Sequence, residues 1–209
     1  MLTADLKNNL KKLGYKYKEI APDVLEVFDI LTDNEISVIK EIITNASQED
    51  WESDYRKSQM ELAERKYGRS DIDNLIAEGI IEYTYDWSDK AISIPRATCS
   101  VTNQKIMEMI AYDPNLTFGS IDHIQRQYAG SELKEHVDEY ADPSIVFAAI
   151  VYVNDDYVDG HLYFSNLNVK TRPKAKSMMI FPGSELYKHG VSAPGEGPTR
   201  YVLPTFIRK

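Results

Sequence analysis

His136 and Asp138 stand two residues apart, and a second histidine, His189, follows in a later segment with Arg200 beyond it. Residues i and i+2 of a β-strand project to the same face. One short strand would therefore aim the His136 imidazole and the Asp138 carboxylate at a common point, and a later strand would bring in His189. Two neutral imidazoles and one carboxylate cover one face of a six-coordinate metal and leave the opposite face open, a ligand set suited to Fe(II) that must bind dioxygen. The spacing predicts a metal centre on His136, Asp138 and His189, and with it oxygenase chemistry.

A His-x-Asp pair by itself carries little information; its surroundings give it weight. His136 follows the strand-like run 121–128 and the turn Ala129-Gly130-Ser131, and His189 follows the apolar run Ser177-Met178-Met179-Ile180-Phe181 and the turn Pro182-Gly183-Ser184. The chain has only four histidines. The other two, His123 and His161, lie on the predicted strands that lead to Tyr128 and Leu162, and by alternation they serve packing or the surface.

These strands need a scaffold, and the organisation of the chain changes near residue 115. Before it the periodicity is mostly helical. Thr32-Asp33-Asn34-Glu35 reads as a capping box, with Ile36, Ile39, Ile42 and Ile43 as an apolar stripe behind it. Residues 51–67 read as a charged helix with Trp51, Tyr55, Met60 and Leu62 as inward contacts. Another helix runs from Thr102 toward Tyr112, ended by Asp113-Pro114-Asn115. After residue 115 the segments are short, rich in β-branched and aromatic residues, and separated by Gly, Pro, Asn and Asp. Residues 145–153 are apolar on both faces and read as a covered central strand. The chain reads as a single domain over 1–209, with 1–115 a mainly helical scaffold and 116–209 the main part of a β-rich core holding the site.

The stretch Tyr128-Ala-Gly-Ser-Glu-Leu-Lys-Glu-His136-Val-Asp138, then Ile150-Val-Tyr152-Val-Asn154, Gly160-His-Leu162-Tyr-Phe164, Ile180-Phe-Pro-Gly183, His189-Gly-Val191 and Thr199-Arg200-Tyr201, resembles the 2-oxoglutarate and Fe(II)-dependent dioxygenases of the prolyl 4-hydroxylase type. A weaker similarity extends to residues 27–35. The resemblance implies an α+β fold: a double-stranded β-helix, or jelly roll, with N-terminal helices packed on one sheet and the metal at the mouth between its sheets. It implies Fe(II), with 2-oxoglutarate and O2 as cosubstrates and ascorbate as a reductant. It also implies that Arg200 grips the far carboxylate of 2-oxoglutarate, that the Tyr152 hydroxyl joins the same carboxylate, that Tyr128 contacts or orients the cosubstrate, and that Leu162 supplies an apolar wall. Because Asp138 is present, hydroxylation is favoured over halogenation, which uses a small residue there.

By the same resemblance the substrate is a proline-containing peptide or protein bound across the mouth. The loop Asp155-Asp156-Tyr157-Val158-Asp159 and the aromatic residues Tyr83, Tyr85 and Trp87 are candidates to cover the entrance. Two departures stand out: the Pro- and Gly-rich run from Ser192 to Pro198, and Pro204 where some members place a polar residue beside the cosubstrate. Two alternatives remain open, a dioxygenase acting on a free amino acid or small metabolite, and a noncatalytic metal-binding jelly roll.

A net charge of −9 and a pI near 5.0 argue against tracking along a nucleic-acid backbone. Lys170, Arg172, Lys174 and Lys176 fall on one predicted hairpin, read as a solvated turn. No apolar run is long enough to span a bilayer and no signal-peptide core follows Met1, so a soluble, intracellular chain without membrane or nucleic-acid partners is expected. Cys99, the single cysteine, reads as a small packing residue.

Overall fold

The computed structural model describes residues 2–80 and 91–209. In chain order the elements are α1 (Leu2–Lys12), β1 (Tyr17–Ala21), β2 (Val24–Val27), α2 (Asp33–Asn45), α3 (Gln48–Tyr67), α4 (Ile72–Ala77), β3 (Ala91–Ser93), α5 (Ser100–Ile110), β4 (Thr117–Phe118), β5 (His123–Gln127), β6 (Leu133–His136), α6 (Asp138–Ala141), β7 (Ile145–Tyr152), β8 (Leu162–Phe164), β9 (Val169–Thr171), β10 (Met178–Pro182), β11 (His189–Val191) and β12 (Arg200–Arg208).

Two antiparallel sheets face each other. The larger has the order β1-β2-β10-β7-β12-β5-β3, with β4 also on β12, and the smaller has the order β6-β11-β8-β9. The central strand β7 is buried along most of its length and divides the interior in two. Phe147, Ala149 and Val151 point to the helices, where they meet Leu6, Leu10, Ile39, Trp51, Ile106 and Met109. Ala148 and Tyr152 point the other way, into a second core with Leu162, Phe164, Phe181, Val191 and Val202 between the sheets. This is the jelly roll with helices on one sheet that the resemblance implied.

The helices start where the local chemistry directs. Thr32 caps α2 by accepting from the Glu35 amide at 3.1 Å while the Glu35 carboxylate accepts from the Thr32 amide at 3.0 Å. Glu35 also accepts from the Thr102 amide at 2.9 Å and its hydroxyl at 2.9 Å, so one buried carboxylate ties α2 to α5. The region before residue 115 also lends β2 to β10 and β3 to β5, strands that helical periodicity had not revealed. The four basic residues do not share one hairpin. Lys170 lies on β9, Arg172 donates to the Asp155 carbonyl at 2.9 Å, and Lys176 pairs with Asp33 at 2.6 Å. Among the described residues no helix is long and apolar enough to cross a membrane.

Candidate metal and cosubstrate site

His136 ends β6 and His189 begins β11, and the two are directly opposite in the antiparallel register. The same pair of strands matches Leu133 with Val191, so three steps on β6 oppose two on β11. Residues 133 and 136 have opposite parity and would face opposite sides of a regular strand. The irregularity lets Leu133 pack into the intersheet core while His136 still turns toward His189. Asp138 is not on the strand, contrary to the expectation that one strand carries both residues; it opens the one-turn helix α6. The i, i+2 geometry survives because Val137 between them keeps an extended backbone, at φ −124° and ψ 123°.

The ligand atoms of His136, Asp138 and His189 lie within 4.8 Å of one another, the one such cluster among the described residues. One Asp138 oxygen is 3.5 Å from His136 Nε2 and the other is 3.9 Å from His189 Nε2. Each imidazole is held from behind. His136 Nδ1 bonds the Lys134 carbonyl at 2.8 Å and His189 Nδ1 bonds the Tyr187 carbonyl at 3.0 Å. A carbonyl only accepts, so Nδ1 carries the proton and Nε2 presents a lone pair to the centre. Phe181 packs edge-on against His189 at 4.6 Å between ring centroids, fixing its plane. Burial drives the His189 pKa down to about 4, which keeps it a neutral donor at physiological pH. Burial also pulls on His136, but its bonds to Asp138 and the Lys134 carbonyl outweigh this and its pKa rises. Asp138 Oδ2 is buried with no hydrogen-bond partner among the described residues. Two imidazole Nε2 atoms converging on a buried carboxylate are favourable only with a cation among them, a proton shared by His136 and Asp138 in the free protein or a metal ion when one binds, and the donor set is that of a facial Fe(II) site.

Arg200, 4% exposed, begins β12. Its guanidinium donates to Gln127 Oε1 at 2.9 Å and to the Tyr152 hydroxyl at 3.1 Å, and its Nε has no acceptor among the described residues. It lies over the rings of Tyr152 and Tyr157, at 5.1 and 5.8 Å from their centroids. Leu162 lines the same intersheet core as Tyr152. A narrow cavity of about 20 Å³ lies here, with Gln125, Gln127, Leu133, Arg200 and Val202 in its walls. The strand pairing sets Arg200 opposite Gln127, the next residue before Tyr128. Tyr128 itself stacks with Arg126 at 4.7 Å, and that guanidinium also lies over Trp51 of α3 at 4.3 Å and donates to Gln48 Oε1 at 2.8 Å.

Sequence reasoning missed Gln127 and named Tyr157 only as part of the loop 155–159. Within that loop Tyr157 is completely buried beside Arg200. The Pro- and Gly-rich run fastens this end. Pro194 bridges to Asp159 and accepts from the Gly130 amide at 2.9 Å, and the Gly195 amide donates to the Val158 carbonyl at 2.9 Å. Tyr83, Tyr85 and Trp87 fall outside the described residues, as does the side chain of Tyr55. His123 pairs with Asp122 at 2.8 Å, and the His161 main chain bonds Ser192, so neither joins the triad.

Residues 123–208 match the model of the 2OG-Fe(II) oxygenase superfamily. A protein of Acanthamoeba polyphaga mimivirus named "Putative prolyl 4-hydroxylase" is 29% identical over 90 residues, covering 36% of this chain and 37% of that protein. The alignment thus spans little more than a third of that curated relative. Among solved structures, the viral collagen prolyl hydroxylase of Paramecium Bursaria Chlorella virus-1 with 2OG superposes with a TM-score of 0.58 at 15% identity, over 89% of this chain and 96% of that one. A Pseudomonas putida prolyl-4-hydroxylase gives 0.55 at 16% identity over 100% and 99% of the two chains. A Trichoplax adhaerens prolyl hydroxylase, in complex with a hypoxia inducible factor peptide fragment, gives 0.57 at 13% identity over 99% and 89%. These likenesses establish a shared fold. Through residues 123–208, the chain is similar to the 2OG-Fe(II) oxygenase superfamily.

Proposed function

We propose that this protein is an Fe(II)- and 2-oxoglutarate-dependent dioxygenase that hydroxylates peptidyl proline. The observation that carries the reading is the pairing of a convergent His-Asp-His set with a buried arginine that no carboxylate among the described residues neutralises. His136, Asp138 and His189 hold the metal. Arg200 takes the far carboxylate of 2-oxoglutarate, with Tyr152 beside it and Leu162 as apolar wall. Tyr128 acts indirectly, by bracing Arg126 next to Gln127. The bound iron and 2-oxoglutarate together supply oxidation by dioxygen, with release of CO2 and succinate.

The chain's own contribution is positional. The Nδ1 bonds fix both imidazole planes, and α6 and β6 converge on one point. Arg200, anchored by Gln127 and Tyr152, fixes where the far end of the cosubstrate lies relative to that point. A buried guanidinium held by Gln127 and Tyr152 is already ordered, so less of its side-chain freedom is lost when a carboxylate binds.

The peptide assignment is supported by the name of the mimivirus relative and by the peptide held by the Trichoplax enzyme. The whole chain then works as one catalytic domain in a reducing, intracellular compartment, where Fe(II) persists and ascorbate is at hand. The test is turnover of short peptides with proline in different contexts, Ala-Pro-Gly included, with succinate and product mass measured together. Stimulated succinate formation with gain of one oxygen atom on the peptide supports the reading. Tight coupling to a free amino acid alone moves the substrate to small molecules, and no decarboxylation with any substrate overturns the enzyme assignment.

A further inference from the structure

We propose that the Tyr157 hydroxyl is a direct donor to the far carboxylate of 2-oxoglutarate, so that the Arg200 end of the pocket is a carboxylate site built by Arg200, Tyr152 and Tyr157 together. The proposal rests on the reading of Arg200 given above.

Every spare polar group around Arg200 is a donor. The guanidinium gives one bond to Gln127 and one to Tyr152, and its buried Nε gives none. The Tyr152 oxygen is occupied as an acceptor from Arg200, so its own proton is unspent. The Gln127 amide is already committed to the Ser131 carbonyl at 3.1 Å. Tyr157 is 0% exposed, and its hydroxyl proton meets no acceptor among the described residues. Burial raises its pKa, while the Arg200 charge and the approach of that guanidinium to the Tyr157 oxygen oppose this, with a net rise, so it remains a protonated donor. A neutral carbonyl would accept some of these bonds and leave the buried positive charge unmatched. A carboxylate supplies both the lone pairs and the charge.

Tyr157 is held for this role. Its ring is flanked by the guanidinium of Arg200 at 5.8 Å and that of Arg172 at 5.2 Å from the centroid. Gly160, at φ +58°, brings the loop back so closely that an added Cβ would lie 3.1 Å from the Tyr157 ring and 3.4 Å from Arg200 Cδ. A buried hydroxyl proton without an acceptor lowers the stability of the free protein, so its retention in a clamped ring points to an acceptor that arrives with the ligand.

The test compares 2-oxoglutarate with 2-oxopentanoate, which keeps the chelating end and the same carbon chain but ends in a methyl group. Both are titrated calorimetrically into Mn(II)-loaded wild type and Tyr157→Phe. The expected result is that Tyr157→Phe binds 2-oxoglutarate roughly ten- to a hundredfold more weakly, the worth of a hydrogen bond to a charged group. Its affinity for 2-oxopentanoate should be unchanged, and the melting temperature of the unliganded variant should be no lower than wild type. Equal weakening toward both ligands, or a lowered melting temperature, identifies a merely structural tyrosine and overturns the proposal. Unchanged affinity for 2-oxoglutarate overturns it as well, while leaving Arg200 in place. Wild type that fails to prefer 2-oxoglutarate over 2-oxopentanoate overturns the assignment of Arg200 on which it rests.

Discussion

Replacing Arg200 by methionine should separate what this residue does for the fold from what it does for the ligand. In the free protein its charge is 4% exposed and meets Gln127, Tyr152 and two tyrosine rings, but no acid among the described residues. Desolvating an ion costs several kcal/mol in real proteins. Against that stand two charge-assisted hydrogen bonds at about 1.5–3 kcal/mol each and ring contacts at about 0.5–2 kcal/mol. These opposing contributions are of similar size, so Arg200→Met, which keeps the volume and drops the charge, should change the stability of the free protein by no more than about 2 kcal/mol. The ligand side has no such offset. Loss of a buried charge pair costs on the order of 2–5 kcal/mol, so 2-oxoglutarate should bind about thirtyfold to several thousandfold more weakly. Arg200→Lys should fall between, because the charge remains and the two-pronged geometry does not. Calorimetric titration of the Mn(II)-loaded variants, with thermal melts of the same samples, reads both quantities. Unchanged affinity in Arg200→Met would refute the role assigned to this residue, and unfolding of the variant would show that the charge is held for the fold.

Ala at His136 or His189, or Asn at Asp138, should lower metal affinity by more than the roughly 10–100-fold that loss of an outer-shell partner costs, and should abolish succinate formation; full iron content and activity in His189→Ala would sink the metal assignment. Gly190→Ala should loosen the same centre from the strand side, because its Cβ would lie 2.8 Å from the Leu133 carbonyl across the β6–β11 pairing and 2.5 Å from the Tyr163 hydroxyl, and the tyrosine tip can move but the backbone cannot. A melting temperature lowered by several degrees together with weaker metal binding is expected, on the order of the 1–3 kcal/mol of an overpacked core; wild-type values for both would show that the two strands tolerate separation. Cys99 is fully buried and its thiol is pushed up to about 12, first by burial and then by the Glu35 charge. The folded state therefore holds a proton that the unfolded chain releases near the ordinary thiol value, so this contribution to stability is complete below that value and declines as pH rises toward about 12. Cys99→Ala should flatten that decline in alkaline melts, and native protein should resist thiol reagents at mildly alkaline pH; rapid labelling of the folded chain would contradict its burial.

What the sequence made legible follows from how unusual each residue type is in its place. Histidine is scarce in this chain, so His136 and His189 beside Asp138 stood out, as did the capping box before α2 and the doubly apolar run that became β7. Gln127, Tyr157 and Gly190 are common types with no local signature, and their roles come from strand pairing and loop closure. Gln127 and Tyr128 are neighbours, yet one meets Arg200 and the other Arg126, because the register of β5 on β12 decides which faces the intersheet core. The irregularity in β6 makes the same point from the opposite direction. Counting by twos from Leu133 would have excluded His136 from the interior, and only the pairing with β11 puts both inside. The His136, Asp138 and His189 cluster could be read ahead of the structure because its chemistry announces it even when its parity does not. The residues proposed for the cosubstrate end can be recognised only once the two sheets, and the loops that close over Arg200, have set which side chains share a space.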